Sequence, residues 1–266
     1  MARSGKVFET IRLAAVEHIA RLTLDRPPVN AINRRMVEEL NTALDQVEKK
    51  IAAGELRVLV IDADGPHFSA GADLKERQQI PADMVEEVVA AIRGTFQRIY
   101  ELPVPVIAAV HGSALGGGLE LVLAADLRVF TLDARVGLPE TSLAIIPGAG
   151  GTQRLPRLIG YSKAFYWIAS AKTFTGLEAF EAGVAEFVVK REELTDFVLD
   201  LAARLARNGP IAVQAAKQAM RRGLLLPIDR ALEVEKEEYR KTIGTEDRLE
   251  GIRAFLEKRT PRYRGK

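Results

Sequence analysis

The 266-residue sequence contains no cysteine, and this absence excludes several kinds of site. A chain without thiols has no disulfide, no thiolate metal site and no cysteine nucleophile. It also has no need of a covalent cross-link, because a chain of this length can bury about three-quarters of its unfolded surface. Lack of cysteine fits a reducing compartment, and we expect a cytoplasmic protein.

Charge of one sign and histidine are also scarce. The 38 basic and 36 acidic residues leave a formal net charge of +2, which is too small to attract nucleic acid through a bulk field. The three histidines, His18, His67 and His111, show no metal-ligand spacing, so we expect no metal site. Residues 102–119 carry no formal charge, but prolines and glycines interrupt them, and we expect no membrane span.

Strands and helices alternate along the first 190 residues. Continuous apolar runs predict buried strands at 58–61, 104–110 and 127–130, and two earlier runs, 7–13 and 18–24, predict a hairpin. Helical spacing predicts one helix from the N-cap Asn33 to Gly54 and a second over 84–100. Strands that are apolar on both faces are typical of a parallel sheet covered on both sides, so the predicted class is α/β.

The pattern changes after about residue 190. Four amphipathic helices are predicted, at 192–205, 210–222, 228–242 and 247–258. We therefore predict a core over residues 1–190 and a helical lobe, residues 191–266, packed on that core.

Three glycine clusters occupy residues 67–75, 111–120 and 146–154. None of them completes a Walker, dinucleotide-binding or nucleophile-elbow motif. In the second cluster, Gly116–Gly118 follow a predicted strand and open a helix, where amide N–H groups lack intrahelical partners. Glycine lets an oxygen anion approach such groups closely. The same triplet could serve only to pack a strand–helix corner tightly, and it does not decide between these interpretations by itself.

Two glutamates lie among apolar neighbours. Glu120 falls in the first turn of the helix after the second cluster, where the helix dipole stabilises a carboxylate by roughly 0.3–1 kcal/mol and favours its ionised form. Glu140 lies in an apolar segment, and burial there would raise its pKa and favour the neutral acid. Each could be structural alone, but together they are the base and acid that proton-transfer chemistry requires.

These segments closely resemble the crotonase (enoyl-CoA hydratase/isomerase) family. The resemblance is carried by residues 70–76, 114–120, 124–126 and 139–155, and it extends from residues 24–27 to residues 247–251 and 255–259. It implies a spiral of ββα turns followed by a C-terminal helical trimerisation region. It also implies self-association as homotrimers or as hexamers built from two trimers.

The resemblance implies an acyl-CoA thioester substrate whose carbonyl is held by the backbone N–H groups of Ala72 and Gly117. It implies Glu120 as the base that deprotonates water and Glu140 as the acid that protonates the α-carbon. The implied reaction is syn hydration of a trans-2-enoyl-CoA in fatty-acid or branched-chain amino-acid breakdown, with no cofactor apart from the CoA of the substrate. The implied CoA contacts, of which Arg26 and Lys75 would meet the phosphates, are Arg26, Ala70, Asp73, Leu74, Lys75, Gly116, Phe255 and Lys258.

Three alternatives remain open at this stage. The resemblance is strongest to methylglutaconyl-CoA hydratases that also bind AU-rich RNA through a lysine-rich helix. Here the matching residues, 33–50, carry four basic and four acidic side chains, so we expect no nucleic-acid binding. The protein could instead be an enoyl-CoA isomerase, although simple isomerases usually keep only the acid matched by Glu140. It could also be a non-catalytic CoA-binding member of the family.

Overall fold

A computed structural model describes residues 8–266 of the protein, which contain nine strands and eleven α-helices. The strands are β1 (Ile11–Val16), β2 (Ile19–Leu24), β3 (Val58–Ala63), β4 (Val106–Val110), β5 (Ser113–Leu115), β6 (Leu127–Thr131), β7 (Arg135–Gly137), β8 (Phe174–Thr175) and β9 (Phe187–Val189). The helices are α1 (Arg34–Ala52), α2 (Leu74–Gln78), α3 (Val85–Glu101), α4 (Gly117–Val122), α5 (Gly151–Ile159), α6 (Tyr161–Ala169), α7 (Gly176–Ala182), α8 (Leu194–Ala206), α9 (Pro210–Gly223), α10 (Ile228–Ile243) and α11 (Glu246–Leu256).

Six strands form the main sheet in the order β1-β2-β3-β4-β6-β9. All neighbours pair in parallel except β1 and β2, which form the predicted antiparallel hairpin at one edge. The first strand begins four residues later than expected, at Ile11, because the amides of Glu9 and Thr10 donate to the Glu39 carboxylate instead of a strand. Val7, the predicted start of that strand, lies outside the described residues.

Three successive segments repeat one pattern, in which a long strand of the main sheet is followed by a short strand and then a helix. β4, β5 and α4 form one such turn, and β6, β7 and the 3-10 helix Pro139–Leu143 form the next. In the preceding turn, β3 is followed by Ser69, which pairs with Ala114 of β5, and then by α2. β5, β7 and β8 form a second, three-stranded sheet. The expected spiral of ββα turns is therefore confirmed.

Helices cover both faces of the main sheet, as predicted. α1 and α3 lie on one face, where Leu40, Leu44 and Phe96 are fully buried with the inward side chains of the strands. On the other face, α8 buries Leu194 and Val198 against the opposite side chains of the strands. Burial of each such side chain stabilises the fold by about 1.5–3 kcal/mol. α8 lies in the predicted lobe, after residue 190, and yet it covers the sheet of the predicted core. The boundary at residue 190 therefore stays a prediction.

A buried lysine links α9 to the residues that precede β4 and β6. The Lys217 ammonium donates to the Val104 carbonyl (2.6 Å) and to the Asp126 carboxylate (2.5 Å). Burial lowers the pKa of Lys217 to about 8, although the charge of Asp126 opposes that shift. α9 packs on α10, and the connection between them exposes Leu224 and Leu225, next to the exposed Ile228 at the start of α10. The expected trimer or hexamer stays a prediction. Within residues 8–266 we find no helix with the length and apolar sequence needed to cross a membrane.

Candidate active site

The first two glycine clusters come into direct contact. Gly71 has a φ of +90°, and a Cβ at this position would lie 2.6 Å from the Leu115 carbonyl oxygen and 3.2 Å from the Gly117 nitrogen. Only glycine permits both the backbone conformation and the close approach. A Cβ placed on Gly117 would in turn lie 3.6 Å from the Ala72 nitrogen. The backbones of Ala72 and Gly117 are therefore neighbours.

The amide N–H groups of Ala72 and Gly117 have no acceptor within residues 8–266. Ala72 forms a β-bridge with Ile32, but its own N–H takes no part in it. The Ile32 amide donates to the Gly71 carbonyl, and the Asp73 amide donates to the Ile32 carbonyl. Gly117 is the first residue of α4, where the amide has no intrahelical partner. Two adjacent free N–H groups are the arrangement that stabilises a developing oxyanion.

Ala72, Gly117 and both glutamates line one cavity of about 150 Å³, called here the inner cavity. Its lining is otherwise glycine and apolar side chains, with Arg77 as the one cation among the described residues. A larger space of about 400 Å³, the outer cavity, shares Ile32, Ala72, Arg77, Val89 and Ile92 with it. An apolar pocket with a few converging polar groups is the usual form of a small-molecule site.

Glu120 is 3% exposed, and its carboxylate is held by the third glycine cluster. Oε1 accepts from the amides of Ala149 (2.7 Å) and Gly151 (2.8 Å). Burial raises the pKa of Glu120, while these two amides and the charges of Arg154 and Arg77 act in the opposite direction. Burial has the largest effect, so the pKa of Glu120 is raised, whereas its place in the first turn of α4 predicts that the ionised form is favoured. The ionised form is supported instead by donors from a distant loop.

Glu140 is 8% exposed and has few polar contacts. Its Oε2 is buried without a hydrogen-bond partner among the described residues. Gly116, with a φ of +53°, lies beside it, because a Cβ there would be 3.1 Å from Glu140 Oε1. Burial, together with the nearby charge of Glu120, raises the pKa of Glu140 to about 7. The two acids therefore have the unequal environments that the sequence predicts.

The structure brings together some of the predicted CoA contacts and not others. The inner cavity includes Ala70, Leu74 and Gly116. Asp73 lines only the outer cavity, and its carboxylate caps α2 through the amides of Lys75 and Glu76. The Arg26 guanidinium donates to Asp73 Oδ2 (2.8 Å) and to the Ala31 carbonyl, and its contact with a CoA phosphate stays a prediction.

The other predicted contacts lie outside both cavities. Lys75 is exposed on α2, and Phe255, near the end of α11, is 83% exposed. Lys258 follows α11 with a φ of +53°. None of these three side chains lines the inner or the outer cavity. Their contact with CoA stays a prediction.

Three arginines lie near the site that the sequence analysis does not predict as site residues. Arg77 lies between the two cavities, and Arg93 and Arg154 donate to carbonyls of the loop that holds Glu120. Arg154 closes the third glycine cluster, so its position next to bare backbone was a usable indication. Arg77 and Arg93 lie on helices with many charges, where the sequence does not distinguish them from exposed side chains.

The comparisons with known proteins agree with this geometry. Residues 15–266 match the family model described as enoyl-CoA hydratase/isomerase. The Bacillus subtilis protein YngF, named for that family, is 47% identical over 251 residues, which are 94% of this chain and 95% of YngF. The mitochondrial methylglutaconyl-CoA hydratase of Mus musculus is 44% identical over 243 residues, 89% of this chain and 76% of that protein.

A solved structure shows the same fold. The crystal structure of enoyl-CoA hydratase from Bacillus anthracis matches with a TM-score of 0.94 at 43% identity, covering 97% of this chain and 100% of that one. The matched region contains all three glycine clusters and both buried glutamates. The chain therefore belongs to the enoyl-CoA hydratase/isomerase family, the crotonases.

Proposed function

We propose that the protein is an enoyl-CoA hydratase that adds water to a trans-2-enoyl-CoA and yields the 3-hydroxyacyl-CoA. The observation that carries this proposal is the inner cavity, in which two buried carboxyl groups of unequal environment share a space with two free amide N–H groups. Hydration of a conjugated thioester needs these parts: a base for water, an acid for the α-carbon and donors for the enolate oxygen.

The amides of Ala72 and Gly117 take the role of the oxyanion hole in this proposal. When hydroxide adds to the β-carbon, negative charge develops on the thioester oxygen, and two main-chain donors in a largely apolar cavity stabilise it. Both N–H groups lack an acceptor within residues 8–266. This favours the role, because an amide already bonded to protein could not donate to substrate.

Glu120 serves as the base and Glu140 as the acid. The Glu120 carboxylate accepts two amide hydrogen bonds, which favour its charged form over that of Glu140. The neutral form of Glu140 is favoured by burial and by the charge of Glu120. In the reaction, Glu120 removes a proton from water as the oxygen bonds to the β-carbon. Glu140 then delivers its proton to the α-carbon as the enolate collapses.

The test is the loss of enoyl-thioester ultraviolet absorbance with crotonyl-CoA, followed from pH 5 to pH 9. The acid must be protonated, and burial raises the pKa of Glu140 to about 7, so kcat/KM is expected to fall as the pH rises above this value. It is also expected to fall at low pH, where Glu120 gains a proton. Because the two carboxyls interact, the two limbs report apparent values of the pair.

An isomerase would give a different result in the same assay. Conversion of a 3-enoyl-CoA to conjugated product, with no hydration of crotonyl-CoA, would overturn the proposed hydratase in favour of that alternative. A protein that binds CoA thioesters and changes neither substrate would be the non-catalytic member of the family.

A second candidate is hydration of an enoyl-CoA whose acyl chain ends in a carboxylate, as in methylglutaconyl-CoA. The observation that favours it is Arg77, whose side chain lines both cavities and has no hydrogen bond or ion pair within residues 8–266. A guanidinium in a largely apolar cavity is a strong donor for a carboxylate. The outer cavity includes four acidic residues, Glu38, Asp73, Glu76 and Glu87, against two in the inner cavity, of which Glu140 is held largely neutral, and this difference favours the inner cavity for a substrate carboxylate.

Replacing Arg77 by methionine tests this candidate. The ratio of kcat/KM for glutaconyl-CoA to that for 2-pentenoyl-CoA is expected to fall about 10–100-fold, because a hydrogen bond to a charged group is lost only for the first substrate. Arg34→Met, which removes a cation of the outer cavity alone, is the matched control, and its ratio should change little. An equal loss for both substrates in the Arg77 variant would assign Arg77 to balancing the charge of the two acids.

A further inference from the structure

The loop of residues 147–151 holds Glu120 through backbone amides, and the same loop is itself held from outside the cavity. Gly148 packs on α3, since a Cβ on Gly148 would lie 2.7 Å from Val89 Cγ1. One turn further along α3, the Arg93 Nε donates to the Gly148 carbonyl at 2.8 Å. Arg93 is exposed and lines neither the inner nor the outer cavity.

Peptide geometry connects Arg93 to the active-site carboxylate. The Gly148 carbonyl and the Ala149 N–H belong to one planar trans peptide, so they point in opposite directions. Arg93 binds the carbonyl end (2.8 Å), and Glu120 Oε1 accepts from the N–H end (2.7 Å). A cation on the carbonyl both fixes the plane of the peptide and polarises the N–H toward the carboxylate.

The second amide donor to Glu120 is secured differently. The Gly151 N–H shares a peptide with the Gly150 carbonyl, which accepts from the amides of Gln153 and Arg154 in the first turn of α5. The Arg154 guanidinium binds the Ala149 carbonyl (2.9 Å) and Gln97 Oε1 of α3 (2.8 Å). The Gly151 donor therefore depends on the helix, whereas the Ala149 donor depends on Arg93.

We propose that Arg93 is a positioning residue that orients the Ala149 amide and through it supports the ionised form of the Glu120 base. This inference rests on the proposed hydratase function. The other charged groups that act on Glu120 are Arg154 from α5, Arg77 from α2 and Glu140 from the 3-10 helix. None of these three side chains bonds to the Gly148 carbonyl, so the effect of Arg93 is separable from theirs.

The experiment compares Arg93→Met and Arg93→Lys with wild type in the crotonyl-CoA assay across pH. In Arg93→Met the Ala149 donor weakens, the charged form of Glu120 loses support, and the acid limb of kcat/KM is expected to move upward by about half a pH unit or more. We expect kcat to fall about tenfold with little change in KM, because the base is misplaced while substrate contacts remain. Arg93→Lys keeps a cationic donor, so its acid limb should return most of the way to the wild-type position.

Lys163→Met controls for the loss of one surface cation, because Lys163 is exposed on α6 and lines neither cavity. A lower kcat in Arg93→Met with an acid limb at the wild-type pH would mean that Arg93 only stabilises the loop. Unchanged kcat and an unchanged acid limb would mean that Arg93 has no role in the reaction. Both results overturn the inference while leaving the hydratase proposal intact. If wild type fails to hydrate crotonyl-CoA, the proposed function itself is wrong.

Discussion

Replacing Glu140 by glutamine is expected to lower kcat/KM for crotonyl-CoA by about 10²–10⁴-fold, the contribution of a positioned general acid. Glutamine keeps the shape of the side chain and the neutral charge of the protonated acid, but it has no proton to deliver to carbon. Glu120→Gln should cause a loss of the same order, because the amide oxygen can still accept from Ala149 and Gly151 but cannot take a proton from water.

The pH profile separates a chemical role of Glu140 from a structural one. The alkaline limb of wild type is assigned to Glu140, whose pKa burial raises to about 7, so residual activity of Glu140→Gln should no longer decline there. Glu87→Gln removes a carboxyl of the outer cavity alone and serves as the matched control. Activity of either active-site variant within threefold of wild type would exclude that glutamate from the mechanism.

The second large effect is expected from Gly71→Ala, which adds one methyl group beside the oxyanion hole. That Cβ would lie 2.6 Å from the Leu115 carbonyl oxygen and 3.2 Å from the Gly117 nitrogen, so the two backbone segments must move apart. Separation of the Ala72 and Gly117 amides should cost about 10²–10³-fold in kcat, the loss found when one oxyanion donor is removed.

Gly54→Ala is the control for the backbone cost of this change. Gly54 also has positive φ (+73°), lies two residues after the end of α1, lines neither cavity, and would have no atom within 4 Å of an added Cβ. Gly54→Ala should lose about 1 kcal/mol of stability because alanine disfavours positive φ, and Gly71→Ala should lose more because of its backbone contacts, both measured by denaturant unfolding. Only Gly71→Ala should lose activity. If it retains full kcat, the assignment of Ala72 and Gly117 as paired donors is wrong.

Much of the fold could be predicted because it is local. Asn33 caps α1 as expected, with its side chain accepting from the Met36 amide, and the apolar run at 58–61 forms β3. β5, β7 and β8 are two or three residues long, too short to show a period, and only pairing across the chain defines them. α5 opens at a glycine and contains Pro156, both of which oppose a helix in isolation.

The site was predicted where its groups carry distinctive motifs and missed where packing alone creates them. Glu120, Glu140 and the glycine clusters could be identified from the sequence and the family resemblance. The contact of Arg26 with a CoA phosphate stays a prediction, and the sequence does not indicate its ion pair with Asp73, 47 residues away. Likewise, Arg93 meets the Gly148 carbonyl across 55 residues, and no local pattern predicts a contact of that separation.

The four groups of the inner cavity come from three successive ββα turns. Ala72 belongs to the turn of β3, Gly117 and Glu120 to the turn of β4, and Glu140 to the turn of β6. No fragment that lacks one of these three turns can hold them together. Activity therefore requires the whole spiral fold. A partly unfolded molecule would be inactive even with every reacting group chemically intact.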